Sequence, residues 1–393
     1  MTLSGGRPLR VLCTSTGGAG HINALAPLAL ALRSGGHDVQ WATATDGGAL
    51  VAAMGFEWSP AGMTTADRRE AAADELVGIM QRPMEDRRGP MFAAFFARAA
   101  APVMQRDLPP ILDRVRPDVV VREVAELGVT AMAASRGIPV VTVAFSGVLP
   151  ETARGEVIAE LGPLWRAEGL DQPSWGDVYG QMYVHPFPPS FGQRPDSPVV
   201  RPARATGVPR GGASPAWVAG LGGSRPCVYV TSGTERAATT FPWCDVFGVI
   251  EGLDVDAVAT IGPHVDPEAL GPIPSNVRVE RFVPQADVLA RSAAVISHGG
   301  AGTVLGAASF GLPQLVVPLF ADQWQNGVAV REAGCGVLAG PDRRRAEDID
   351  AALRTLLGGT VHHDAAALVA HEIGAMPTAP DLIDEVEALA TSH

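Results

Sequence analysis

Two glycine-rich turns carry the side chains best suited to chemistry in this chain. The apolar run from Ala293 to Ser297 ends in His298-Gly-Gly-Ala-Gly-Thr303, and an alanine-rich stretch of helical character follows. This is the pattern of a buried strand entering a helix through a glycine turn. The first N–H groups of such a helix lack intrahelical acceptors, and the aligned peptide dipoles add to their pull on an anion. Gly299, Gly300 and Gly302 leave room for a bulky anion to approach the backbone, while His298 and Thr303 supply side-chain donors. Glycines alone would mean no more than a tight turn. With His and Thr at these spacings the pattern favours a diphosphate site. Towards the other end of the chain, Gly17-Gly-Ala-Gly20 leads into His21. An imidazole is suited to proton transfer near neutral pH, so a histidine here can take a proton from a hydroxyl or simply brace the helix it opens. Position alone leaves both open. The glycine spacing does not match the Gly-x-Gly-x-x-Gly dinucleotide fingerprint.

The elements that must hold these turns follow from the hydrophobic pattern. Arg10-Val-Leu-Cys-Thr14, Val39-Gln-Trp-Ala42, Val119-Val-Val121 and Val140-Val-Thr-Val143 read as short buried strands. Leu25 to Leu32 reads as a helix with Pro27 in its first turn, and Leu127 to Ser135 as a second helix. The pattern restarts at Cys227-Val-Tyr-Val-Thr231 and continues through Ala257–Ile261, Val277–Val279, Val295–Ser297 and Leu315–Val317. Strands alternating with helices imply an α/β fold with parallel sheets covered on both faces. Between the two halves, Arg194 to Gly223 is rich in Pro, Gly, Arg and Ser without periodicity and reads as an interdomain connection. The expected organisation is a first domain over 1–205, a linker over 206–224, a second domain over 225–378 and a terminal helical segment over 379–393. In open sheets of this kind ligands bind beyond the carboxyl ends of the strands.

Composition narrows the function classes. A length of 393 residues suits two domains with separate cores. A net charge of −12 argues against nucleic acid or an anionic membrane surface as the main partner. The four cysteines, Cys13, Cys227, Cys244 and Cys335, have no metal-ligand spacing and read as thiols in a reducing compartment. His362-His363 with His371 lacks a credible ligand set, and Arg343-Arg-Arg345 reads as a solvated loop. No basic leader or long uncharged apolar window is evident, so a cytoplasmic protein without membrane insertion is expected.

The C-terminal half, from about Val228 to Gly340, resembles the donor-binding region of family 1 glycosyltransferases. The branch it is most similar to is the bacterial one acting on antibiotics, polyketides and other natural products. The residues that carry the likeness are Val230-Thr-Ser-Gly-Thr234, Val283-Pro-Gln285, the His298 block, Gly311-Leu-Pro313, Pro318 and Asp322-Gln323. Gly17-Gly-Ala-Gly-His21, Pro27-Leu-Ala29 and Gly36-His-Asp-Val39 resemble the family's opening strand, loop and helix. The likeness fades between roughly Ala61 and Leu108 and between Glu151 and Pro215, where such enzymes differ in acceptor. It implies the GT-B fold: two Rossmann-like domains whose parallel sheets face each other across a cleft, with the terminal helix crossing back to the first domain.

The resemblance also implies an enzyme that transfers a hexosyl or deoxyhexosyl group with inversion. His21 would be the base, oriented by a carboxylate where relatives often place Asp after a Pro-Asp-Val-Val-Val strand. Here that strand is Pro117-Asp-Val-Val-Val121 and the matching residue is Glu123, one methylene longer. Glu126, one helical turn on, could serve instead, and Arg122 could pair with Glu126 and occupy it. Thr234, His298, Gly299, Gly300, Gly302 and Thr303 would hold the departing diphosphate, where donors already in place favour the transition state. Asp322 and Gln323 would read sugar hydroxyls, the amide both donating and accepting. Val283 and Gln285 would seat the base, Val283 in the manner of bacterial enzymes that use TDP-deoxysugars rather than the UDP-sugars of plant relatives. No Asp-x-Asp metal pair is evident, so metal independence and no cofactor are expected. Met63, Met80, Met84, Phe92, Phe96 and Phe145 suit a small hydrophobic acceptor, although core packing explains any one of them equally well. Three alternatives stay open: a non-catalytic helper of the same fold, carbon rather than oxygen glycosylation, and a nucleotide-sugar epimerase. A homodimer also stays open.

Overall fold

The computed structural model of this chain describes residues 7–192, 195, 197, 199–205, 214–234 and 239–392. It comprises two compact units. One is Met1–Pro186, Arg194–Val208 and Pro377–His393; the other is Phe187–Gln193 and Pro209–Met376.

The first unit is built on a seven-stranded parallel sheet: β1 (Arg10–Ser15), β2 (Asp38–Thr43), β3 (Glu57–Pro60), β4 (Val119–Glu123), β5 (Val140–Val143), β6 (Met182–His185) and β7 (Val200–Pro202), in the order β3-β2-β1-β4-β5-β6-β7. Strands β4, β5 and β6 are buried along their whole length, and β1 is buried from Val11 onward. A strand covered on both faces is close to uniformly apolar, which is why β4 and β5 are legible as valine-rich runs and β1 through its Val-Leu-Cys core. Three strands are not. β3 (Glu-Trp-Ser-Pro) is a half-exposed edge, and β6 carries Tyr and His. β7 is a three-residue edge ending in Pro202, where proline's missing donor is tolerated. It lies inside the stretch read from sequence as an irregular connection.

The second unit has a six-stranded parallel sheet: β8 (Cys227–Thr231), β9 (Asp256–Thr260), β10 (Val277–Glu280), β11 (Ala294–Ser297), β12 (Gln314–Val316) and β13 (Gly336–Leu338), in the order β10-β9-β8-β11-β12-β13. In both sheets the order turns back beside the first strand, between β1 and β4 and between β8 and β11. At such a point the flanking loops diverge to opposite sides and leave a crevice at the carboxyl ends. Residues 16–21 and 123–126 fall at one of these points, and residues 231–234 and 298–303 at the other.

The expected boundaries need correction. Phe187 and Phe191 belong to the core of Val304, Ala329 and Ile373, so the segment Phe187–Gln193 groups with the second unit instead of the first. Residues 206–213 of the expected linker lie outside the described residues. Its later part is not a linker, because Trp217 and Val218 pack with Tyr229, Val283 and Leu289. The terminal helix Ile383–Thr391 groups with the first unit. Val386 is fully buried in the core that also holds Val11, Leu28 and Leu32. His37 Nε2 stands 3.1 Å from Glu387 Oε1, and Arg201 pairs with Glu385. Among the described residues no helix is long and apolar enough to cross a membrane.

Removing two buried methyls costs their transfer free energy plus the cavity left behind. Val386→Ala should therefore destabilise the first unit by about 2 kcal/mol. Hydrogen exchange is the check: protection should fall in β1 and β2 and hold in β8 and β11.

Candidate active site

At the carboxyl end of β1 the chain runs through Thr14, Ser15 and Thr16, all buried, and turns at Gly18 (φ 108°) into the helix Ala19–Ser34. A Cβ on Gly17 would lie 2.0 Å from Asp46 Oδ1, and Asp46 accepts a hydrogen bond from the Thr65 amide at 2.8 Å. The glycine therefore allows the close approach of this loop to the next. His21 sits in the first helical turn with 15% of its side chain exposed, its Nδ1 3.3 Å from Glu123 Oε2.

Glu123 is the last residue of β4 and is fully buried. Its Oε1 accepts from the Thr16 amide (3.1 Å) and hydroxyl (2.9 Å), and its Oε2 from the Ala125 amide (2.7 Å). Burial by itself pushes a carboxyl up; here the facing His21 and these hydrogen bonds outweigh it and hold Glu123 below its ordinary value. Thus the longer side chain, where the family pattern has Asp, reaches His21 without help from Glu126. Glu126, also buried, turns away from His21: its Oε2 accepts from Thr14 Oγ1 at 2.5 Å and its Oε1 from the Val129 amide at 3.1 Å. Burial raises the Glu126 carboxyl above its ordinary value, against the pull of Thr14 and Arg122.

The suggested hydrogen-bonded pairing of Arg122 with the Glu126 carboxylate does not occur. The buried Arg122 guanidinium instead donates to backbone carbonyls, at 2.6 Å to Glu126, at 3.2 Å to Val124, and to Val178. It clamps the turn on which both glutamates sit.

Of the expected acceptor residues, Phe96 and Phe145 meet the His21 ring edge-on, with centroids 5.4 and 4.7 Å away. Phe92 packs on Phe96 at 5.0 Å and is otherwise core. Met63 lines a small cavity with Thr16 and Glu126. Met84 lies in the short turn Met84–Asp86, and Met80 is exposed at the end of the helix Ala73–Met80. Phe96 lies in a π-helical segment, Ala93–Ala100, a form concentrated at functional sites.

The second unit builds its turn from backbone. β11 ends at Ser297, His298 donates its amide to the Thr231 carbonyl at 3.2 Å, and Gly299 takes φ 86°. Gly300 caps the helix Ala301–Ser309. A Cβ on Gly233 or Gly300 would stand 2.6 or 2.5 Å from the His298 ring, so the imidazole is packed between two glycines. A Cβ on Gly299 would stand 2.6 Å from Val316, whereas one on Gly302 would meet nothing within 4 Å. Thr303 Oγ1 accepts from Gln285 Nε2 at 3.3 Å. The Val283 side chain is core, which leaves its backbone for recognition, and Thr234 is exposed beyond β8.

Gln323 departs from its expected role. Its Oε1 accepts from the Leu319 and Phe320 amides at 2.8 and 2.9 Å, so the acceptor end is committed to the loop and only the amino end remains for a ligand. Asp322 is linked through Asn326, whose amide donates to Asp322 Oδ2 and to the Gly299 carbonyl, both at 2.9 Å. Asn326 and Thr16 went unassigned in the sequence reading. The four-residue spacing from Asp322 was the available signal for Asn326, and the position just past β1 that for Thr16.

Comparison with known proteins identifies the family and the fold. Residues 245–389 match the family described as erythromycin biosynthesis protein CIII-like, C-terminal domain. The L-demethylnoviosyl transferase of Streptomyces niveus is 32% identical over 94% of this chain and 95% of its own length. The crystal structure of the glycosyltransferase SnogD from Streptomyces nogalater superposes with a TM-score of 0.77 at 26% identity, covering 98% of this chain and all of that one. The spinosyn rhamnosyltransferase SpnG complexed with thymidine diphosphate gives 0.79 at 26% identity, covering 96% of this chain and all of that one.

The two buried carboxyls should respond oppositely to pH. A lowered group such as Glu123 stabilises the fold above the unfolded carboxylate range, near about pH 4.3, and loses that contribution as pH falls through its folded value. Glu123→Gln should therefore be less stable than wild type at neutral pH, with the gap closing in acid. A raised group such as Glu126 loses its contribution as pH rises above the same range. Glu126→Gln should gain on wild type with increasing pH. Melting temperatures of the three proteins from about pH 3 to pH 8 test both signs.

Proposed function

Because the chain belongs to the GT-B glycosyltransferases of bacterial antibiotic and polyketide biosynthesis, we propose that it moves a deoxysugar from a TDP donor to a hydroxyl of a small hydrophobic aglycone, with inversion. The observation that carries this reading is the buried Glu123 carboxylate 3.3 Å from His21 Nδ1. A carboxylate on that nitrogen favours the tautomer protonated there and leaves the Nε2 lone pair to accept a proton. Glu123 also stabilises the imidazolium that forms.

In the proposed step His21 Nε2 removes the acceptor hydroxyl proton as that oxygen bonds to the anomeric carbon. The bond from this carbon to the diphosphate oxygen breaks on the opposite face, and the pair of electrons leaves with TDP. An α-linked donor thus gives a β-linked product. Negative charge growing on the diphosphate is met by the free amides at the start of the helix Ala301–Ser309 and by His298 and Thr234. That arrangement supports transfer without a divalent ion. Thymidine diphosphate bound to the relative SpnG supports TDP as the carrier. Val283, Gln285 and Thr303 would seat the nucleotide, and Asp322 with the amino end of Gln323 would bind sugar hydroxyls. Phe96 and Phe145 would form the apolar wall against which the acceptor presents its hydroxyl.

The test combines binding and turnover. TDP at a hundred times its dissociation constant should stabilise the wild type by roughly 2.7 kcal/mol, with UDP second and NAD without effect, and His298→Ala should lose the shift. His21→Ala should keep the shift and lose acceptor-dependent TDP release by on the order of a hundredfold or more. A chelator should leave the wild-type rate unchanged. A His21→Ala protein with full activity would sink the base assignment, and sugar interconversion without acceptor would point to an epimerase.

A further inference from the structure

Three successive backbone carbonyls, those of Gly147, Val148 and Leu149, are held by two arginines. Arg88 donates Nη1 to the Val148 carbonyl at 2.7 Å and Nη2 to the Gly147 carbonyl. Arg154 Nε donates to the Leu149 carbonyl at 3.3 Å. These carbonyls belong to the loop that leaves β5, and the same loop carries Phe145, whose ring lies 4.7 Å from that of His21. Arg88 opens the helix Arg88–Phe92, which runs directly into the π-helical segment carrying Phe96, the other ring against His21. One guanidinium thus joins the two chain segments that wall the histidine. The next residue reinforces the joint: a Cβ on Gly89 would stand 2.3 Å from Ala153 Cβ, so the helix holding Phe92 and the helix Glu151–Ala167 meet with no space for a larger residue.

Arg88 is buried, and these two partners are neutral carbonyls. Taking a guanidinium out of water is costly unless its N–H groups are met, and here two of them are met by adjacent carbonyls of one loop. What an apolar residue cannot do is bridge two adjacent carbonyls, and a lysine presents a point charge in place of a planar fork. We propose that Arg88 is the positioning residue for the acceptor wall: by holding the Phe145 loop against the Phe96 segment it fixes the two rings that stand against His21 and so sets the affinity for apolar, hydroxylated acceptors. This rests on the reading of His21 as the base.

The experiment compares wild type, Arg88→Met and Arg88→Lys in steady-state transfer from a TDP-deoxysugar to a panel of planar polyphenols and macrolactones. TDP thermal shift and binding of the planar hydroxyanthraquinone alizarin are measured on the same proteins. Arg88→Met should raise the acceptor KM about tenfold or more with kcat changed much less, because uniform binding is lost while the reacting groups are kept. The TDP shift should be unchanged, and Arg88→Lys, which keeps the charge but replaces the planar fork by a single ammonium on a shorter reach, should fall between. Alizarin affinity should follow the same order. Arg88→Lys keeps the charge and the stem and is the variant to rely on if Arg88→Met fails to fold; a wild-type acceptor KM in Arg88→Lys overturns the proposal. So does a fall in kcat with KM and alizarin binding unchanged. A wild type that releases no TDP with any acceptor condemns the transfer reading instead, and the alizarin order then decides the clamp by itself.

Discussion

The first unit is organised around a carboxylate taken fully out of water. A buried charge without partners would neutralise or unfold its surroundings, and Glu123 has three hydrogen-bond donors and the His21 ring arranged about it. Thr16 contributes its amide and hydroxyl, Ala125 its amide, and His21 its ring nitrogen. Meeting those requirements fixes the loop after β1, the turn after β4 and the start of the helix Ala19–Ser34 relative to one another. Arg122 serves the same turn from beneath, filling its carbonyls. The neighbouring carboxyl, Glu126, is raised by burial where Glu123 is lowered by its partners. Two glutamates three residues apart therefore differ in electrostatic character, and only the lowered one faces the histidine.

The second unit solves a different problem with backbone. Its constraint is close approach: His298 fits only because Gly233 and Gly300 have no side chain, and Gly299 adopts a left-handed φ while pressed on Val316. Asn326 then ties the Gly299 carbonyl to Asp322, so the turn and the Asp322 loop move as one piece. Flexible hydroxyl or ammonium donors would have to be ordered anew when an anion arrives. Helix amides held in this way are ordered beforehand, which is what electrostatic preorganisation requires. Both units place these residues where the strand order turns back, one a histidine beside a buried carboxylate and the other the start of a helix at a glycine turn.

Much of this was legible because it depends on local rules. Doubly covered parallel strands must be continuously apolar, so β1, β4, β5, β8 and β11 declare themselves. Glycine where φ is positive or a neighbour presses on the backbone marks the two turns. The edge strands β3 and β7 were hidden because an exposed edge needs no apolar run, and the short strand β6 because Tyr and His interrupt its pattern. Phe187 and Phe191 look like part of the first unit in sequence and join the core of the second, since a core is chosen by available space and not by order along the chain.

Sequence by itself determined the α/β class, the doubled strand–helix plan, the glycine turn at His298 and the histidine at position 21, because periodicity and backbone sterics act over a few residues. Tertiary structure alone decided which glutamate meets His21, that Arg122 donates to backbone carbonyls in place of the Glu126 carboxylate, and that the Gln323 carbonyl is spent on its own loop. It also decided that Phe96 and Phe145, but not Met80, stand at the histidine. Each of these depends on which side chain is nearest once strands distant in sequence lie side by side. A hydrogen bond is made or lost within a few tenths of an ångström, and no spacing along the chain specifies distance at that scale.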